Sequence, residues 1–166
     1  MKPQLALHFV GSDGLWAPVD RYDSIAAELA DGHYSRQSPG DDQYLRPGRY
    51  VAFVHRGDRG RALWSVVHNV WLGVWRWTNT HFANKSGTLS SLLVQTATQA
   101  TYRRWIERYG KLPAEPLRTE VDVEATAARR SRRSEPGHCY RIAGWREVDR
   151  YPSKRGTTLV VLEAPR

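Results

Sequence analysis

A chain of 166 residues with 40% hydrophobic content is long enough for one buried core and reads as one domain, 1–166. An excess of 25 Lys and Arg over 17 Asp and Glu gives a formal net charge of +8, which favours polyanionic partners: nucleic acid, an acidic membrane surface or a phosphorylated cofactor. A lone cysteine, Cys139, excludes an internal disulfide and a cysteine-based zinc site, and no apolar run approaches the roughly 20 residues of a membrane span, so a soluble, cytoplasmic chain with no membrane partner is expected.

Leu5 to Val10 is a short apolar run that predicts a first strand. From Asp20 to Ala30, Tyr22, Ile25, Ala26 and Leu29 keep helical spacing, with Asp20 or Asp23 as cap and Asp31-Gly32 as the stop. A polar loop containing Pro and Gly follows, from Gln37 to Gly48. Tyr50–Arg56 and Arg61–Asn69 predict a hairpin around Gly57 and Gly60. A third strand spans Gly73 to Phe82, with Trp75, Trp77, Asn79 and His81 on one face and Val74, Arg76, Thr78 and Thr80 on the other.

The longest helix comes next. Leu89, Leu92, Leu93, Thr96, Ala97 and Ala100 form its apolar stripe, Ser86 or Thr88 its N-cap, and Gly110 with Pro113 its end. Leu117 to Val123 reads as a strand with Val121 and Val123 opposite Glu120 and Asp122. A basic run, Arg129, Arg130, Arg132 and Arg133, occupies a polar loop or short helix. The segment Pro136 to Trp145 predicts a short helix that presents Tyr140, stops at Gly144 and passes into a strand. Arg146–Val148 and Thr157–Leu162 are the last two strands. This order predicts a mixed α/β sheet flanked by helices.

Four constellations can carry chemistry. Asn84, Lys85, Ser86, Gly87 and Thr88 join a strand to the long helix, where free N–H groups and the positive end of the dipole favour an anion. His33, Tyr34, Ser35 and Arg36 follow the first helix, and a histidine is the usual proton carrier near neutral pH. Asp122, on a half-apolar strand, can accept a proton. The basic set continues through Arg141, Arg146, Arg150, Lys154 and Arg155 and is expected to share a face that takes phosphates. Trp75 and Trp77 are candidates to stack on a base. Metal binding is not expected: the six histidines, at positions 8, 33, 55, 68, 81 and 138, show no ligand spacing, though His33 can meet His68 or His81 in space.

From Val74 to Leu162, the element order and the Tyr140-to-Gly144-Trp145 spacing resemble the GNAT acyltransferase fold. The resemblance implies a central, mostly antiparallel sheet. It also implies an acyl-CoA in the gap beside the strand that precedes the long helix, and a tyrosine, here Tyr140, near the thioester sulfur. His33-Tyr34-Ser35, Gly87 with Leu89-Ser90-Ser91, Val121-Asp122 and the Pro136–Trp145 segment are similar to the phage Mom group of GNAT-like DNA-modifying proteins. That resemblance implies modification of a DNA base that blocks restriction, with Tyr34, Ser90 or Ser91, and Asp122 lining the reaction site. His33 is a further candidate base. Arg36, Arg129, Arg130, Arg132, Arg133, Lys154 and Arg155 would hold the DNA. The loop carries one glycine, Gly87, where GNAT loops carry two small residues, which leaves the donor open between acetyl-CoA and a related acyl donor. Two rivals follow: a non-catalytic DNA-binding protein on this scaffold, and an acetyltransferase for a small amine or peptide.

Overall fold

A computed structural model of the chain describes residues 15–33, 40–127 and 135–166. The expected strand at Leu5–Val10 and the basic run at Arg129–Arg133 lie outside them. The described elements are β1 (Ala17–Pro18), α1 (Ser24–Asp31), β2 (Arg49–Gly57), β3 (Gly60–Trp71), β4 (Val74–Asn84), α2 (Ser90–Tyr109), β5 (Leu117–Asp122), α3 (Val123–Thr126), α4 (His138–Ile142), β6 (Arg146–Pro152) and β7 (Thr158–Glu163). The strands form one sheet in the order β1-β2-β3-β4-β5-β7-β6, antiparallel except at β4–β5.

Strand alternation sends apolar side chains to both faces of this sheet. Val51, Phe53, Trp64, Val66, Trp77, Val121, Val160 and Leu162 meet α2 and α4 on one face. Ala52, Val54, Leu63 and Val67 meet α1, Tyr44 and Leu45 on the other. Asp23 caps α1 by accepting from the Ala26 N–H, one of the two caps the spacing allowed.

The threonines inside α2 are poor helix formers, and packing accounts for them. The indole N–H groups of Trp16, Trp145 and Trp64 donate to Thr96, Thr98 and Thr101 at 3.0, 3.1 and 2.9 Å, so three buried tryptophans find acceptors on one helix. The buried stripe of α2 is Leu93, Val94, Ala97, Thr98, Ala100, Thr101 and Trp105. Leu89 and Leu92, placed in the stripe by spacing, are exposed. The N-cap is Leu89, not Ser86 or Thr88, because those two hydroxyls are held inside the preceding loop.

The expected alternation of β4 fails at one residue. Ser65 pairs with His81 and Val66 with Asn79, which leaves Thr80 as an extra residue, a β-bulge. The bulge resets the pleat. Trp77 and Asn79 face α2, as does Phe82, which packs on Trp64 and Tyr140. His81 turns to the α1 face, against Tyr44 and His33.

Candidate active site

β4 and β5 run parallel but pair only at Trp77–Leu117, Thr78–Arg118 and Asn79–Thr119. Beyond that, Thr80–Asn84 bonds only to β3 and Glu120–Asp122 only to β7, so the two strands diverge. Asn79 closes the last rung. Its amide nitrogen donates to the carbonyls of Ser65 (2.9 Å) and His81 (3.0 Å), and its oxygen accepts from Thr119 (3.1 Å) and from the Tyr140 hydroxyl (2.5 Å). Tyr140 is thus buried at the root of the gap among Trp64, Phe82 and Trp145, its proton directed at Asn79.

On the α1 face the gap opens into a cleft of about 460 Å3. Thr78, Asn79, Thr80 and His81 of β4 line it, with Glu120 and Asp122 of β5, residues 43–47 and the Ser153–Arg155 turn. Its carboxylates are Asp41, Glu120 and Asp122; its cations are Arg46, Lys154 and Arg155. Ser65 Oγ lies 2.9 Å from both Thr80 Oγ1 and His81 Nδ1, and the His33 ring meets His81 edge-on at 5.4 Å. Of the two partners the spacing allowed for His33, the fold supplies His81. The His68 ring packs instead against Trp75 and pairs with Glu115.

Asp122 lies in the cleft with both carboxylate oxygens engaged. Oδ1 accepts from the Ala125 N–H and caps α3; Oδ2 accepts from Thr157 Oγ1 at 2.8 Å. Thr157 Oγ1 lies 2.6 Å from Ser153 Oγ, which accepts from the Arg155 N–H. Asp122 therefore anchors the turn that carries Lys154 and Arg155. Glu120, unremarked as a functional group in the sequence, is the second carboxylate of β5 on this face. It accepts from the Tyr151 hydroxyl at 2.5 Å, with Arg76 3.7 Å away. Burial, reinforced by Glu120, pushes the Tyr151 hydroxyl up to about 12. The alternation around Val121 marked Glu120 and Asp122 equally; only the partners distinguish them.

At the far end of β4, Asn84 organises the loop into α2. Its oxygen accepts from Ser86 N–H and Ser86 Oγ, and its nitrogen donates to the Thr88 carbonyl and to Ser90 Oγ. Ser86 is fully buried, and its hydroxyl accepts from the Thr88 N–H. Thr88 Oγ1 meets His55 Nε2 at 2.8 Å. Ser90 and Thr88 thus hold the loop in shape, while Ser91 is half-buried in the first turn. Gly87 has φ +80, and a β-carbon there would press on the Arg59 side chain. Leu89 caps α2 with no side-chain hydrogen bond, so among the described residues the N–H groups of its first turn have no side-chain cap. Arg56, Arg59, Arg61 and Lys85 line the adjoining surface.

Uncapped N–H groups, a close-approach glycine and a local excess of cations fit an anionic donor such as acetyl-CoA. The residues that would hold its phosphates are Ser90, Ser91, Gly87, Lys85 and Arg59.

Tyr34, Arg36, Arg129, Arg130, Arg132 and Arg133 lie outside the described residues. Three of the late arginines expected to share a face that takes phosphates have glutamate partners. Arg141 pairs with Glu135 and Glu147, Arg146 with Glu163 and Arg150 with Glu147. Lys154 and Arg155 stand at the cleft. Trp77 is corrected: it is buried between Tyr102 and Trp105 and offers no face to a base, whereas Trp75 is exposed. Burial pushes the Cys139 thiol up to about 11, which disfavours the thiolate near neutral pH. Among the described residues no group of three or more His, Cys, Asp or Glu could hold a metal ion, and no helix is long and apolar enough to cross a membrane.

The overall fold is matched among solved structures. The crystal structure of the aminoglycoside 6'-N-acetyltransferase from Enterococcus faecium superposes with a TM-score of 0.59, covering 92% of this chain and 98% of that one at 11% identity. The fold is GNAT-like. No protein-family model and no curated protein matches the sequence. At this identity the likeness concerns the fold.

Proposed function

We propose that the chain is an acyl-type group transferase whose acceptor is an amine of a DNA base. The observation that carries this reading is the β4–β5 gap. It connects the uncapped, cation-flanked start of α2 to a cleft holding Glu120, with Arg46, Lys154 and Arg155 at that cleft. A thioester donor, when bound, supplies an activated acyl carbon. The chain supplies the rest. Lys85, Arg59 and the first turn of α2 hold phosphate charge. Glu120 accepts the proton that the acceptor amine loses as its nitrogen acquires the acyl group. Tyr140 can pass a proton to the departing sulfur only by exchanging its bond to Asn79. Asp122 acts as a positioning residue, through the turn that bears Lys154 and Arg155.

A base amine inside a duplex is out of reach of such a cleft, so the target leaves the stack at a cost of a few kcal/mol. Protection from restriction belongs to the same proposal and rests on the Mom-like motifs; a carbamoylmethyl-like group, being an alkyl rather than an acyl group, would need a donor with an activated methylene carbon in place of a thioester. The Asp41, Glu120 and Asp122 carboxylates favour a second reading, a small-amine acetyltransferase. Three cations at the same cleft and a net charge of +8 weigh against a polycationic acceptor.

Mass spectrometry of nucleosides from cells making the protein tests this directly. A modified nucleoside is expected with the wild type, and a loss of at least a hundredfold with Glu120→Gln, with little change in stability. Unmodified DNA, together with acetylation of small amines by the purified protein, would establish the second reading instead. Unmodified DNA with no stabilisation by acetyl-CoA would leave a non-catalytic scaffold.

A further inference from the structure

The β3–β4 hairpin outruns both neighbouring strands. β2 begins at Arg49, opposite His68, and β5 begins at Leu117, opposite Trp77. The pairs Asn69–Arg76, Val70–Trp75 and Trp71–Val74 therefore have no strand neighbour on either side and form backbone ladder bonds only with each other. At roughly 3.3 Å per residue they carry the turn about 10 Å beyond the sheet.

The projection is apolar where solvent would favour polar residues. Five of the seven tryptophans are buried; the two exposed ones, Trp71 and Trp75, both stand here with Val70, Leu72 and Val74, and Leu72 is 79% exposed. Register puts Trp71 and Val74 on the cleft face and Val70 and Trp75 on the opposite face, so the ribbon shows an indole on each side. The turn residues Leu72 and Gly73 have φ +49 and +76. A two-residue turn with both φ positive favours Asn-Gly, and Leu72 is the one described non-glycine residue with positive φ. Neither packing nor backbone preference explains a leucine there.

Four arginines surround the base of the hairpin. Arg46 lies over the Trp71 ring, Arg49 over Tyr109, Arg21 over Tyr50 and Arg108 over both tyrosines, at 4.5–5.7 Å. None of the four pairs with a described carboxylate, unlike Arg118, Arg141, Arg146 and Arg150. Arg46 and Pro47 line both the groove under the hairpin and the acceptor cleft, so the two are adjacent.

We propose that this hairpin is a nucleic-acid wedge. Trp71, Leu72 and Trp75 enter the base stack, and Arg21, Arg46, Arg49 and Arg108 take the flanking phosphates. The inference rests on the DNA reading above and adds how a base is freed from its stack beside the cleft. A second copy fits less well, because a symmetric contact would bring unpaired arginines against each other. A bilayer would meet the tip but could not follow the groove into the cleft.

The test uses purified protein and a short duplex carrying 2-aminopurine, whose fluorescence rises on unstacking. Wild type is expected to bind with strong salt dependence and to raise the signal. The double variant Trp71→Ala/Leu72→Asn should lose the rise and bind at least tenfold more weakly with an unchanged salt slope. Leu72→Asn alone suits the turn, so its melting temperature should match or exceed the wild type and show that the fold is intact. Arg46→Gln/Arg49→Gln should lower the salt slope and keep the rise at saturation.

Wild-type binding without a rise, or an unchanged signal in the double variant, would overturn the proposal. So would absence of duplex binding with capture by phosphatidylglycerol-containing vesicles, or a wild-type dimer that Leu72→Asn renders monomeric with DNA binding unaltered. None of these readouts depends on group transfer. A wedge without modified nucleosides would sink the transferase reading alone, and acyl transfer without duplex binding would sink the wedge and its DNA acceptor.

Discussion

Asn79 has every side-chain polar atom engaged, and it does so at the rung where the sheet parts. Replacing it by leucine keeps approximate volume and removes bonds to the Ser65 and His81 carbonyls and to the Thr119 and Tyr140 hydroxyls. Buried groups that lose a partner cost about 1–3 kcal/mol each, and relaxation offsets part of that. Asn79→Leu should therefore lose about 3 kcal/mol of stability in urea unfolding, whereas Asn69→Leu, at a half-buried asparagine with one long bond to the Pro47 carbonyl, should change it much less. A loss below about 1 kcal/mol would show that the network is incidental. At this scale the sequence was legible as residue types and no further. Asp122 stood out as a carboxylate on a strand, as it is, but spacing cannot reveal that Ala125 and Thr157 take both its oxygens. Glu120, two residues earlier on the same face, was equally visible and was passed over because nothing local marks it. Asn79 carries no motif at all; apart from the His81 carbonyl on its own strand, its partners come from β3, β5 and α4, far away in the chain.

Among the elements, the helix that bears Tyr140 is held by its entry. Gly137 has φ +73, and a β-carbon there would lie 2.3 Å from Leu162 Cδ1 in the core. A left-handed alanine costs about 1–2 kcal/mol and overpacking about 1–3 more. Gly137→Ala should lower stability by about 3 kcal/mol in thermal or urea unfolding and weaken the Tyr140–Asn79 contact. Unchanged stability would mean that Leu162 simply moves aside. The Pro136–Trp145 segment was readable as a short helix ending near Gly144 because its signals are local, a glycine at either end and a phenol between. β2, β3 and the long helix were readable for the same reason, through alternation and helical spacing. The bulge at Thr80 was not. It depends on how β4 registers with β3, and it moves His81 to the face opposite Asn79, against the simple alternation. The start of α2 was misplaced because Ser86 and Thr88, good caps by type, are bound to Asn84 and His55 instead.

For the molecule as a whole, order and fold class were legible because few arrangements bury this succession of strands around one long helix. The distribution of charge was not. A net +8 says nothing about which arginines are neutralised: among the described late cations Arg141, Arg146 and Arg150 pair with glutamates, while arginines from distant segments lie over aromatic rings near the hairpin. The short parallel ladder has a consequence of another kind. β1–β4 with α1 and α2 form one body of chain, β5–β7 with α3 and α4 the other, and backbone pairing between them amounts to three residue pairs. Side chains join them as well: α4 and Trp145 pack on α2, Thr119 and Tyr140 donate to Asn79, Tyr102 donates to the Pro165 carbonyl, and Glu115 and Glu120 pair with His68 and Arg76. The connection at Gly110 is open, with nothing within 4 Å of where a β-carbon would stand. Cut between Gly110 and Lys111, the chain should behave as two complementary pieces that recover the native circular-dichroism spectrum when mixed, and Asn79→Leu in the first piece should weaken their association at least tenfold. The cleft would then exist only while the pieces are together, a candidate site divisible at its own gap.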